Sequence, residues 1–327
     1  MTTRIDGTRR ASLTTPGDHM QQHDLSWADA GHGDPQFLGE IYSLAFVRDV
    51  SPLDALRRVG GLEDTLADRT AADISALHNF DDGYPEAVSV LALGEWTVLV
   101  QPTSFWLGQL VDALSRGTEA ISVVRHDYAS PRFTHSTDGT TTTTFHLNWP
   151  DNRDGTDPDR LLPLMREAGF DPDTADDEDE EDDESWQYRY EDVMTHALRL
   201  TGLITGVLPT YEQITAPQPS AHFDHWFSRT RPYPVEDATT TATRLAAELG
   251  LGDTPGLAAA LASTDPVVVT PDSDLGRHVR EWSTLARRAS WSTNLERSRM
   301  TDEERSRGHR FGQLTQALAA AFRADLA

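Results

Sequence analysis

Cysteine and lysine are both absent from this 327-residue chain. Without cysteine there is no disulfide, no thiol nucleophile, no iron–sulfur cluster and no thiolate zinc site. Without lysine there is no Schiff-base amine, no Walker-type phosphate loop, no kinase lysine and no Ser-Lys dyad. Long apolar runs are missing too: none approaches the ~20 residues that span a bilayer. Residues 1–32 are polar and carry no apolar segment of signal-peptide type, so cytoplasmic residence is the expectation.

What is present is acid. Asp and Glu number 53 against 28 basic residues, all arginine, for a formal net charge of −25. Such a surface repels phosphates and anionic lipid, so neither nucleic acid nor membrane is expected as a partner of the whole chain. Hydrophobic residues make up 38%, enough for a sizeable core, and the length suits two domains.

Residues 1–33 are rich in Gly, Thr, Asp, Gln and His and read as a disordered arm. Residues 41–47 are β-branched and aromatic, as in a buried strand. Ser51-Pro52-Leu53-Asp54 is a helix start with Ser as N-cap and Pro in the first turn, and Gly60-Gly61 ends that helix. Stretches 87–93 and 96–100 flank Gly94-Glu95, and stretches 132–136 and 140–147 flank Asp138-Gly139, two hairpin signals. Residues 105–115 read as an amphipathic helix and 119–126 as a strand. About six strands and a few helices result, mostly in antiparallel hairpins.

Asp157-Pro158 opens a short helix, and a run of nine acids at 176–184 is solvated by its own repulsion. Helix is expected from 186 to 203, and a packed linker at 222–234. Val267-Val268-Val269 reads as a strand or as buried chain. Beyond about 235 the chain turns helical. Leu275, Val279, Trp282 and Ala286 share one helical face, Thr301-Asp302-Glu303-Glu304 is a capping box, and Phe311, Leu314, Leu318 and Phe322 form a second apolar stripe.

Residues 44–60, LAFVRDVSPLDALRRVG, carry a strand, a Ser-Pro helix start and a helix ending in Arg-Arg-Val-Gly. Downstream stand Trp96 to Pro102, Leu114-Ser115-Arg116-Gly117, Ser122-Val123, Asp138-Gly139 and Ile204-Thr205-Gly206-Val207. As a set these resemble an uncharacterised actinobacterial family, domain of unknown function 6461, over roughly residues 38–215. The arginine-only basic set, with abundant Ala, Gly, Asp and Thr, fits a GC-rich actinobacterial genome. Asp49 stands where the resemblance has Gly, and Gln101 where it has Glu. The resemblance implies a fold grouping and no activity.

No motif calls for a cofactor. His222 and His225 are three apart, and on a helix would face one way and share a divalent ion; no third ligand is identifiable, and the aromatic neighbours suit a packed segment. Asp151-Asn152-Arg153-Asp154-Gly155 fails the calcium-loop spacing and reads as a turn. Gly250-x-Gly252-x-x-x-Gly256 is off the dinucleotide fingerprint by one residue and follows a helix. No G-x-S-x-G or H-E-x-x-H occurs. A binding surface is the better candidate: Arg48, Trp96, Gln101, Trp106, Arg125 and His126, with Phe105 and Trp149 nearby, mix aromatics with cations as binding anchors do. Strand alternation puts Arg125 on the face opposite Val124 and His126. The competing reading buries the tryptophans and leaves the arginines to solvent. A clamp of the acidic run onto Arg297, Arg299, Arg305, Arg307 and Arg310 competes with plain solvated faces.

The expected fold is α+β: a mostly antiparallel sheet with flanking helices at 34–225, an acidic loop at about 171–185, and a smaller all-α domain at 226–327. The expected function is a non-enzymatic module that binds another protein, in a regulatory or defence role. A hydrolase using His and carboxylates, metal-assisted through His222 and His225, is the alternative.

Overall fold

The computed structural model describes residues 24–77, 83, 86–173, 192–291 and 300–323. The acidic run at 176–184, with Arg297 and Arg299 of the expected clamp, lies outside them.

One nine-stranded sheet organises the chain, in the order β2-β9-β3-β4-β1-β5-β6-β7-β8. The strands are β1 (Ile41–Arg48), β2 (Ala67–Arg69), β3 (Glu86–Leu93), β4 (Trp96–Gln101), β5 (Glu119–His126), β6 (Arg132–Thr137), β7 (Thr140–His146), β8 (Trp149–Asp154) and β9 (Gln218–Phe223). Every pairing is antiparallel. At the Asp138-Gly139 hairpin both turn residues have positive φ, 49° and 77°, as a turn matching the twist of its strands requires.

Helices cover both faces of the sheet, which explains why β1 is a continuous apolar run rather than an alternating one. On one face Leu44, Phe46, Val98, Val100, Val123, Phe133 and Phe145 pack under α4 (Leu162–Ala168) and α5 (Val193–Thr205). On the other, Ala45, Val47, Val90, Leu99 and Phe223 pack under α1 (Pro52–Arg58) and α3 (Trp106–Leu114). Two short helices, α2 (Ala71–Leu77) and α6 (Tyr211–Thr215), fill connections. Ser51 caps α1 by accepting from the Asp54 amide, and Gly60 turns the chain at φ 86°, where a side chain would run into the Asp224 carbonyl.

The C-terminal helices α7 (Ala238–Glu248), α8 (Leu257–Ala262), α9 (Asp274–Trp291) and α10 (Asp302–Phe322) follow the sheet, so the fold is α+β with a helical C-terminal part. Leu275, Val279, Trp282, Phe311, Leu314, Leu318 and Phe322 are buried in their core, together with Leu62, Trp226 and Phe227 from the chain before them. The Thr301–Glu304 capping box forms.

Four readings of the sequence differ from the structure. Leu25, Trp27 and Ala28 are buried in the main core, so the described fold starts before Asp34. Residues 149–154 form the edge strand β8 rather than a turn. The expected linker at 222–234 opens inside β9, which ends at Phe223. Val267–Val269 is not a strand: Val267 and Val269 are half-buried against the helical core, and Val268 is 60% exposed.

Candidate functional site

β1 and β5 set out the candidate residues, and the sheet separates them. Arg48 lies at the start-of-β5 end, exposed, 3.2 Å from Glu95 and 3.8 Å from Glu119. Trp96 is core rather than surface: its register puts it with Val98 and Val100 under α5, 4% exposed. Arg125 lies on the same face and holds the N-terminal segment. Its Nη1 donates to the Ala28 and Ala30 carbonyls, and its Nε and Nη2 donate to the two oxygens of Asp127 at 2.8 and 3.0 Å.

The other three candidates meet. Gln101 is fully buried at the end of β4, where Ser43 Oγ donates to its Oε1 and its Nε2 donates to Glu86, both at 3.3 Å. A glutamate there would set two carboxylates against each other; the amide of Gln101 makes the contact a bond. The one Ser43 hydroxyl proton is shared with the Ser104 carbonyl at 2.9 Å, tying this polar pair to the residue before Phe105. Phe105 then begins a row of rings. It lies 5.4 Å from His126 on one side and stacks on Trp106 at 5.7 Å, and Trp106 stacks on His225 at 4.4 Å with 10° between planes. Phe105, Trp106 and His126 are half-buried, and His225 is exposed as a residue with one ring face packed on Trp106.

His222 and His225 do not form the helical pair expected of them. His222 is in β9, where alternation sets it opposite Phe223, while His225 lies in the short turn His225–Ser228 on the Phe223 side, against Trp106. Among the described residues no three His, Asp or Glu side chains converge as metal ligands.

A cavity of about 670 Å³ opens beside the same end of β5, and sequence reasoning missed most of it. Arg125, His126 and Asp127 line it from β5 and the turn after, His146, Asn148 and Trp149 from the β7–β8 turn, and Asp29 and Asp192 from the chain around α5. His146 and Trp149 pair across a two-residue turn, with ring centroids 4.1 Å apart. Burial, with Arg132 adding, pushes His146 down to about 4, so its imidazole is neutral at pH 7. The Asn148 amide donates to its Nδ1 at 3.1 Å, which puts the imidazole proton on Nε2.

One pair resembles acid–base machinery but is enclosed in the sheet. His135, 1% exposed, sits 2.7 Å from Glu119 through Nε2. The His135 contact holds Glu119 below its ordinary value, against the effect of burial. Glu119→Ala strands a buried imidazole and is expected to lose about 1–3 kcal/mol of stability in urea unfolding. The Glu119 contribution is present above the ordinary 4.5 and is lost as pH falls through the lowered value. The gap between wild type and variant should therefore close in acid; a gap that widened there would refute the role given to Glu119.

A family model matches residues 19–213, more than half of the chain. The chain belongs to the family of unknown function DUF6461. No curated protein and no solved structure matches it. The DUF6461 match takes in β1 to β8, Gln101, Phe105, Trp106, His126 and the cavity-lining residues; β9, His225 and the C-terminal helices lie beyond it.

Proposed function

We infer that this DUF6461 protein is a non-enzymatic binding module, and that it takes a basic segment of another protein along the ring row His126–Phe105–Trp106–His225. The observation that carries the reading is the row itself: Phe105, Trp106 and His225 stacked in sequence with His126 tilted against Phe105, at one end of the sheet over an engaged polar pair. Aromatic groups supported in this way anchor interfaces at low entropic cost. The net charge of −25 supports a basic partner, because it raises encounter rates with cations and discourages acidic competitors. Arginine side chains presented by that partner suit ring faces through cation–π contact. A regulatory role in the cytoplasm fits a module of this kind.

Cross-linking in the native host followed by affinity capture tests the reading, with Trp106→Ala and His225→Ala beside wild type. A basic protein should be captured by wild type, and its affinity should fall about thirtyfold or more for Trp106→Ala, the loss of one central anchor. Circular dichroism of both variants should match wild type. Equal capture by all three proteins, or an acidic partner, would overturn it.

A further inference from the structure

The cavity at the end of β5 shares His126 with the ring row but is lined mainly by other residues. Among the described residues three carboxylates line it, from Asp29, Asp127 and Asp192, against one guanidinium, Arg125. Two of those carboxylates are engaged. Asp29 accepts from the Met194 and Thr195 amides at 3.0 and 2.8 Å and so caps α5. Asp127 takes Arg125 in a two-bond grip. The same grip and the Ala28 and Ala30 carbonyls occupy Arg125, so its guanidinium is already engaged.

Asp192 is different. Its carboxylate makes no hydrogen bond or ion pair among the described residues, and its backbone is held at φ 62°, a left-handed conformation uncommon outside glycine. The Trp149 indole and the neighbouring imidazole of His146 supply ring faces.

We propose that this cavity binds a small organic cation, held by Asp192 at the mouth and by the face of Trp149. Each group meets a different property of such a ligand: its charge and its attraction to a ring face. At about 670 Å³ the space suits a metabolite rather than a protein side chain alone. His146 stays uncharged at neutral pH and adds no repulsion toward a cation. The site stands whether or not the ring row takes a protein.

Calorimetric titration of the full chain at about 150 mM salt, where diffuse attraction to the acidic surface is screened, is the test. The probes are 1,4-diaminobutane, agmatine and choline, with succinate and 1,4-butanediol as anionic and neutral controls. At least one cation should bind one to one with Kd below about 1 mM. Asp192→Asn and Trp149→Leu should each weaken it about tenfold. Asp192 is exposed, so its variant should melt as wild type does. Asp253→Asn, an exposed acid elsewhere, should change nothing, and Trp106→Ala should bind the cation normally. Absence of binding by all three cations, succinate binding as tightly, or an equal effect of Asp253→Asn and Asp192→Asn would overturn the proposal.

Discussion

Arg287→Ala is expected to lower the unfolding free energy by about 3–5 kcal/mol, the usual loss when one member of a buried ion pair is removed. Its partner is Asp224, only 2% exposed and 3.0 Å from Arg287 Nη1. Asp224 Oδ1 also accepts from the Trp226 amide, and its own amide donates to the Gly60 carbonyl. The residue thus sits where β9 ends and the aromatic turn leading to the helical core begins. Arg287 comes from α9 and donates as well to the Gly83 carbonyl. Alanine at 287 leaves a buried carboxylate without its guanidinium, supported only by the Trp226 amide and the neighbouring His225. Asp224→Asn should lose less, because Arg287 is 21% exposed and keeps some water.

The pH dependence follows from the same pair. Burial alone would raise the Asp224 carboxyl, but Arg287, His225 and the Trp226 amide together outweigh it and hold the group below its ordinary 3.8. A depressed folded value means the contribution is present above 3.8 and is lost as pH falls through the lowered value. Urea unfolding of wild type and Arg287→Ala at neutral pH and near pH 3 should show the difference shrinking in acid. A variant within about 1 kcal/mol of wild type at neutral pH would show that Asp224 is neutral or hydrated, contrary to this account.

The parts of the fold legible in the sequence were those where local chemistry and tertiary packing agree. Ser51-Pro52 starts α1, Asp138-Gly139 turns β6 into β7, and the Phe311–Phe322 stripe faces a core. β8 and β9 were not legible. Each carries a proline and polar residues, and neither alternates. Pro150 is tolerated because β8 is an edge, and Pro219 because β9 at that point pairs only with the three-residue β2. Half of the candidate surface follows from the same limit. Alternation along β5 correctly parted Arg125 from His126, but nothing local in β4 says that Trp96 faces α5. The cavity had one readable clue: had β8 been recognised, His146 and Trp149 would flank a two-residue turn and pair across it.

The N-terminal segment shows how composition misleads, and Trp27→Ala tests it. Averaged over residues 1–33 the chain reads as an arm, yet Trp27 is 1% exposed, with its ring 6.3 Å from Tyr42 and 6.4 Å from Tyr211. Backbone anchors surround it: Tyr42 and Arg125 both donate to the Ala28 carbonyl, and Asp29 caps α5. Alanine at 27 should therefore lose about 3–5 kcal/mol, the cost of emptying an aromatic site that rigid neighbours cannot refill. Trp27→Phe should lose much less than ring area suggests, because Trp27 Nε1 is buried without a partner and phenylalanine removes that unmet donor. Because Asp29 and Arg125 also line the cavity, the alanine variant should bind the cation probes more weakly as the segment loosens, while the phenylalanine variant keeps them. Loss of less than about 1.5 kcal/mol in Trp27→Ala would mean the segment is a loosely attached arm after all.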